Sequence, residues 1–127
     1  MVRFLWICLG GAAGTGARYL VGIAAGRLFG TAFPFGTLIV NVLGSFLICL
    51  VMHVATTTEL ISPTLRLALT TGFMGGLTTY SSFDYETTRL FQDRAWTSGA
   101  VNLGVTLVGC FAAGLLGFAA ARRLVGD

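Results

Sequence analysis

Four stretches of this chain, residues 4–17, 28–52, 67–83 and 95–121, carry no charged side chain. A helix crossing roughly 30 Å of hydrocarbon needs about 20 mostly apolar residues. The second and fourth stretches reach that length unaided. The first reaches it with Arg18 inside the span, and the third with its own polar cluster included. Composition agrees: 55% of the 127 residues are hydrophobic and only 10% are charged, against about 25% in soluble domains. The expected fold is all-α, a single domain over residues 1–127 with four transmembrane helices. The spans fall at roughly 4–27, 35–55, 65–92 and 97–121. Arg3 ahead of an apolar stretch also fits a secretory signal, but apolar character resumes after Arg18, which favours a span. The chain left outside the spans has no room for a soluble catalytic domain, so an enzyme is not expected.

The third span is unusual. Residues 72–86 read Gly-Phe-Met-Gly-Gly-Leu-Thr-Thr-Tyr-Ser-Ser-Phe-Asp-Tyr-Glu. Three glycines weaken a helix there, and the hydroxyls offer the backbone competing partners. In lipid, freed backbone groups must be satisfied by protein or by a polar pathway. The expectation is a third helix broken near its middle, at Gly75-Gly76, whose exposed carbonyls at Gly75 and Thr78 suit a small hard cation.

Other polar residues recur at helical spacing. The second span carries Thr37, Asn41 and Ser45, and the fourth carries Ser98, Asn102, Thr106 and Cys110, each set on one helix face. Each group needs a partner in hydrocarbon. Hydrogen bonds between helices supply one explanation for each. Together they offer hydroxyl, carboxamide and backbone N–H donors. The only acids in the spans are Asp84 and Glu86, towards one end. Donors without acids suit an anion. Tyr80 and Phe83, three apart, present ring edges of positive potential to one side; from spacing alone, packing against a neighbouring helix is the favoured explanation. Arg18 is expensive at the bilayer centre. It either snorkels, pairs with a polar group, or sets a positive potential at a vestibule.

All eight basic residues are arginine. With four spans, Arg3, Arg66, Arg122 and Arg123 lie on one side, and Arg27, Arg89 and Arg94 on the other. Orientation follows this bias, and here it is nearly absent. Either the chain inserts both ways round, or Arg122 and Arg123 fix one orientation. Net charge of +3 is spread over both faces and gives no sign of a nucleic-acid partner. Cys8, Cys49 and Cys110 fall within spans and read as small buried apolar groups, not a disulfide or metal framework. Gly10, Gly14, Gly22 and Gly26 form a ridge on which helices approach closely. Helices packed this tightly leave no pore within one subunit, so any pathway lies at or beside a subunit interface.

Three segments, residues 10–19, 36–46 and 72–83, together resemble the CrcB/Fluc fluoride channel family, in the expected order and over essentially the whole chain. The resemblance implies a passive fluoride channel with two pores, formed by an antiparallel, dual-topology homodimer in the (inner) membrane of a bacterial or archaeal cell. It implies a sodium ion at the dimer centre, held by the carbonyls of Gly75 and Thr78 of each copy. It implies Asn41 as a pore donor, Tyr80 and Phe83 as pore aromatics, and Ser81 and Thr37 as added hydroxyls. Thr106 would belong to a polar track on the fourth span, and Arg18 would give positive potential near an entrance. The chain departs from the family pattern at three places: Tyr80 where phenylalanine is common, Asp84 where a small hydroxyl is usual, and Cys110 where a hydroxyl is common. A small multidrug exporter is a rival of similar size, but it needs an embedded acid in the first span, and no acid precedes Glu59 here. A non-conducting membrane assembly subunit is the other alternative, and it predicts no ion flux.

Overall fold

The computed structural model describes residues 1–126. Among them there is no strand. The chain forms α1 (Val2–Phe29), α2 (Phe35–Thr57), α3 (residues 63–77), α4 (Tyr80–Gln92) and α5 (Trp96–Val125). α1, α2 and α5 are each long and apolar enough to cross a membrane. At 1.5 Å per residue they extend about 42, 35 and 45 Å. Between them α3 and α4 occupy the third charge-poor region, separated by Thr78 and Thr79, whose backbones are extended.

Local chemistry sets most of these boundaries. Ser62 caps α3 by accepting the Leu65 N–H at 3.2 Å, and Pro63 follows in the first turn, where its missing donor is not needed. Thr79 caps α4 by accepting the Ser82 N–H at 3.2 Å. Ala68–Met74 of α3 is wound more widely, in π geometry, a form that appears mostly in short stretches inside α-helices.

Packing follows the small residues. α1 lies along α3, and α2 lies along α5. Gly10 and Gly14 face α3, and Gly22 faces Gly36 of α2; Gly26 meets only the turn at Thr31. The α5 side against α2 is lined by Ala113, Gly114, Gly117 and Ala121. A Cβ on Gly14 would strike the Phe73 carbonyl oxygen and come within 2.9 Å of the Leu77 nitrogen. Both are backbone atoms that cannot swing aside. Gly14→Val is therefore expected to force α1 off α3, at a cost of about 1–3 kcal/mol, seen as an earlier thermal unfolding transition in detergent.

Large apolar side chains such as Leu20, Val108, Phe111 and Leu116 point outward. That is the surface of a helix bundle solvated by lipid or covered by another chain. Cys8 is exposed on this surface, and Cys49 and Cys110 are half-buried, so the expectation that all three are buried does not hold. All three are free thiols.

Candidate functional site

The interruption between α3 and α4 does not fall where the glycines suggested. Gly75 and Gly76 are helical, and the extended residues are Thr78 and Thr79. Gly76 instead serves close packing: a Cβ there would strike the Gly11 carbonyl of α1 and meet the Thr15 nitrogen at 2.9 Å. What opens the backbone is Asn41 on α2. Its Oδ1 accepts the Thr79 N–H at 2.7 Å, and its Nδ2 donates to the Thr79 carbonyl at 3.0 Å. This two-bond clasp takes up both polar groups of one peptide residue. α2 comes this close because position 44 is glycine; a Cβ there would overlap the Thr78 methyl.

The clasp leaves carbonyls behind. In a continuous helix the Thr79 N–H would bond the Gly75 carbonyl and the Ser82 N–H would bond the Thr78 carbonyl. Here the first goes to Asn41 and the second to the Thr79 hydroxyl. Gly75 and Thr78 thus lose their helical donors at the negative end of one helix, while the positive end of α4 begins two residues later. A single interruption presents acceptors on one side and donors on the other.

Beside it lies a cavity of about 290 Å³ lined by Asn41, Ser45, Thr78, Thr79, Tyr80, Phe83, Thr106 and Cys110, among others. Among the described residues, no charged one lines it. Phe83 is buried, at 3% exposure, whereas Tyr80 is 75% exposed on the protomer surface. Their rings meet edge-on, with centroids 5.6 Å apart and planes at 62°. The Thr78 hydroxyl donates to the Met74 carbonyl at 2.8 Å, and the Thr106 hydroxyl donates to Asn102 Oδ1 at 3.5 Å. Asn41 has used one of its two Nδ2 hydrogens. The donors left for a guest are the second one, the Ser45 and Tyr80 hydroxyls, and the ring edges.

The remaining sequence candidates lie elsewhere. Thr37 lines a second, larger cavity of about 840 Å³, beneath the α1–α2 turn and beside α4. There its hydroxyl donates to Glu86 Oε1 at 2.9 Å, and the other carboxylate oxygen is buried without a partner. Ser81 is exposed on α4, with its hydroxyl 3.3 Å from that of Thr79. Arg18 is half-buried on α1, lines neither cavity, and forms no ion pair among the described residues. The structure therefore brings Asn41, Tyr80, Phe83 and Thr106 together, sets Thr37 at a separate cavity, and leaves Ser81 and Arg18 outside both. Asp84 is exposed on α4.

Sequence reasoning passed over Glu86, Thr79 and Ser45 as site residues. Ser45 was legible as the third member of the α2 stripe, and Glu86 as one of two acids in the spans. Thr79 meets Asn41 through its backbone, which no side-chain pattern reports.

The chain is 56% identical over 125 residues to the fluoride-specific ion channel FluC of Sorangium cellulosum (strain So ce56), covering 98% of each protein. It is 48% identical over 126 residues to the FluC of Anaeromyxobacter dehalogenans (strain 2CP-1 / ATCC BAA-258), covering 99% of this chain and all of that one. Against the FluC of Geobacter sulfurreducens (strain ATCC 51573 / DSM 12127 / PCA) it is 46% identical over 124 residues, covering 98% and 100%. The family model described as CrcB-like protein, Camphor Resistance (CrcB), matches residues 5–118, a stretch that contains both cavities and the clasped interruption, and the protein is a member of the CrcB family.

Proposed function

We propose that this protein is a fluoride-selective passive channel, and that the cavity beside the Asn41–Thr79 clasp is part of its path. The carrying observation is that uncommitted donors and aromatic edges converge there with no charged side chain. Fluoride is small and tightly hydrated, so a narrow pore must replace its water with close donors. A wide pore of fixed positive charge would favour anions that dehydrate more easily. Hydrogen fluoride crosses membranes as the neutral acid and dissociates inside. A passive conduit driven by membrane potential then lowers the internal ion concentration.

The working unit in this reading is an antiparallel homodimer with two pores, its subunits inserted in opposite senses in the inner membrane of a bacterial or archaeal cell. Each subunit is one four-span domain, its third span being α3 and α4 with the interruption between them. Two observations favour the dimer. The arginines are nearly balanced between the two sides. The exposed α4 face, with Tyr80, Ser81, Asp84 and Tyr85, is too polar to meet lipid. A second copy covers it and closes the open side of each cavity.

Sodium fits the same reading. The carbonyls of Gly75 and Thr78 have lost their helical donors, and neutral oxygens suit a hard cation. When bound, sodium would supply positive charge that ties the inward carbonyls of two copies together. Ser81 supplies a hydroxyl along the approach, Thr37 holds the Glu86 carboxylate there with its one proton, and Arg18 supplies positive potential near an entrance.

The deciding measurement is anion efflux from liposomes holding the purified protein. Fluoride efflux is expected to exceed chloride efflux by about 100-fold or more, a selectivity of at least roughly 2.7 kcal/mol. Equal efflux of the two ions would remove the selectivity, and no efflux of either would leave a packing-only assembly subunit.

A further inference from the structure

We propose that Asn102 and Thr87 are positioning residues that set the orientation of α4 and so aim Phe83 into the cavity. The inference rests on Phe83 lining the fluoride path. Chain continuity cannot aim α4, because Thr78 and Thr79 break the helix just before it. Its outer face is exposed, so its rotation depends on contacts with α2 and α5.

Asn102 is nearly the most enclosed residue of the protein, at 1% exposure. Its Nδ2 donates to Thr87 Oγ1 at 2.8 Å, and the Thr87 hydroxyl donates to the Phe83 carbonyl at 2.6 Å. Thr106 donates to Asn102 Oδ1 at the other end. The donors all run one way, from α5 through Asn102 to the backbone carbonyl of Phe83. A threonine hydroxyl has one proton. Given to the Phe83 carbonyl, it leaves Thr87 Oγ1 as an acceptor that the carboxamide alone fills among the described residues. In a dry interior that bond is strong, and its loss strands a buried donor. One turn further on, Phe91 seats against Gly99, where a Cβ would meet the ring at 2.7 Å. These two anchors, one directional and one steric, hold α4 against α5.

The test pairs flux with a direct view of the ring. Asn102→Leu and Thr87→Val keep volume and remove the link; Thr87→Ser keeps the hydroxyl. Fluorinated phenylalanine placed at position 83 gives a fluorine resonance that reports ring surroundings without needing flux. Both link-breaking variants should still purify as the same assembly, shift or broaden that resonance, and lower fluoride efflux by about ten-fold. Thr87→Ser should return both readouts to the unaltered values. An unmoved resonance in both link-breaking variants, whatever the flux, would overturn the inference. So would a moved resonance with full flux. No fluoride-selective efflux from the unaltered protein would instead overturn the channel reading on which the inference rests, while the resonance would still report the orientation of α4 by itself.

Discussion

Asn41→Asp is expected to lower fluoride efflux by about two to three orders of magnitude at neutral pH. Two losses combine. The carboxylate cannot donate, so the Thr79 carbonyl, bonded now at 3.0 Å, would face a second acceptor. A buried group left unsatisfied in this way costs about 1–3 kcal/mol. The new charge would also sit on the wall of a cavity that has none. Two like charges 4 Å apart repel by about 4 kcal/mol at an effective dielectric constant of 20. That is nearly three decades in the occupancy of an anion site. Efflux from liposomes measures the effect, and acid pH gives its control. Protonation makes the group neutral and restores a donor, so efflux should recover as pH falls. Undiminished flux at neutral pH would place Asn41 away from the path and leave it only the task of holding Thr79.

Phe83→Ile is expected to lower fluoride efflux by about ten-fold or more while the assembly persists. The ring is buried, at 3% exposure, and meets Tyr80 edge-on within the cavity lining. An aromatic edge carries positive potential that an aliphatic side chain lacks. Isoleucine retains much of the apolar volume, and truncations of this kind disturb packing by about 1–2 kcal/mol, too little to dismantle a bundle of long spans. Efflux and size-exclusion chromatography together separate the two roles. Loss of flux with an intact assembly supports the ring as an anion contact. Loss of assembly would make Phe83 a packing residue.

The contrast between these two positions shows why only part of the site could be read in advance. Asn41 stood out because a carboxamide in a charge-free span must find partners, and Phe83 because it sits one turn from Tyr80. Neither pattern names the partner. The Asn41 clasp joins residues 38 apart in sequence, and the Asn102–Thr87 bond joins residues 15 apart on different helices. Thr37 looked equivalent to Asn41 on the same stripe. One helical turn was enough to place it at a different cavity, against Glu86.

Runs without charge dictate long apolar helices, because backbone groups in hydrocarbon must bond within their own segment. Residue types dictate a lining rich in donors and poor in acids. Those two properties are additive along a chain, so the sequence alone determines them. The place where the third span opens is different. Local propensity pointed to Gly75-Gly76, yet those residues are helical and the opening lies at Thr78 and Thr79. Glycine weakens a helix wherever it stands, but a backbone bond is given up only where another group takes the donor. Asn41, on a neighbouring helix that Gly44 lets come close, takes it at Thr79. Only the packing of α2 against α3 could decide that.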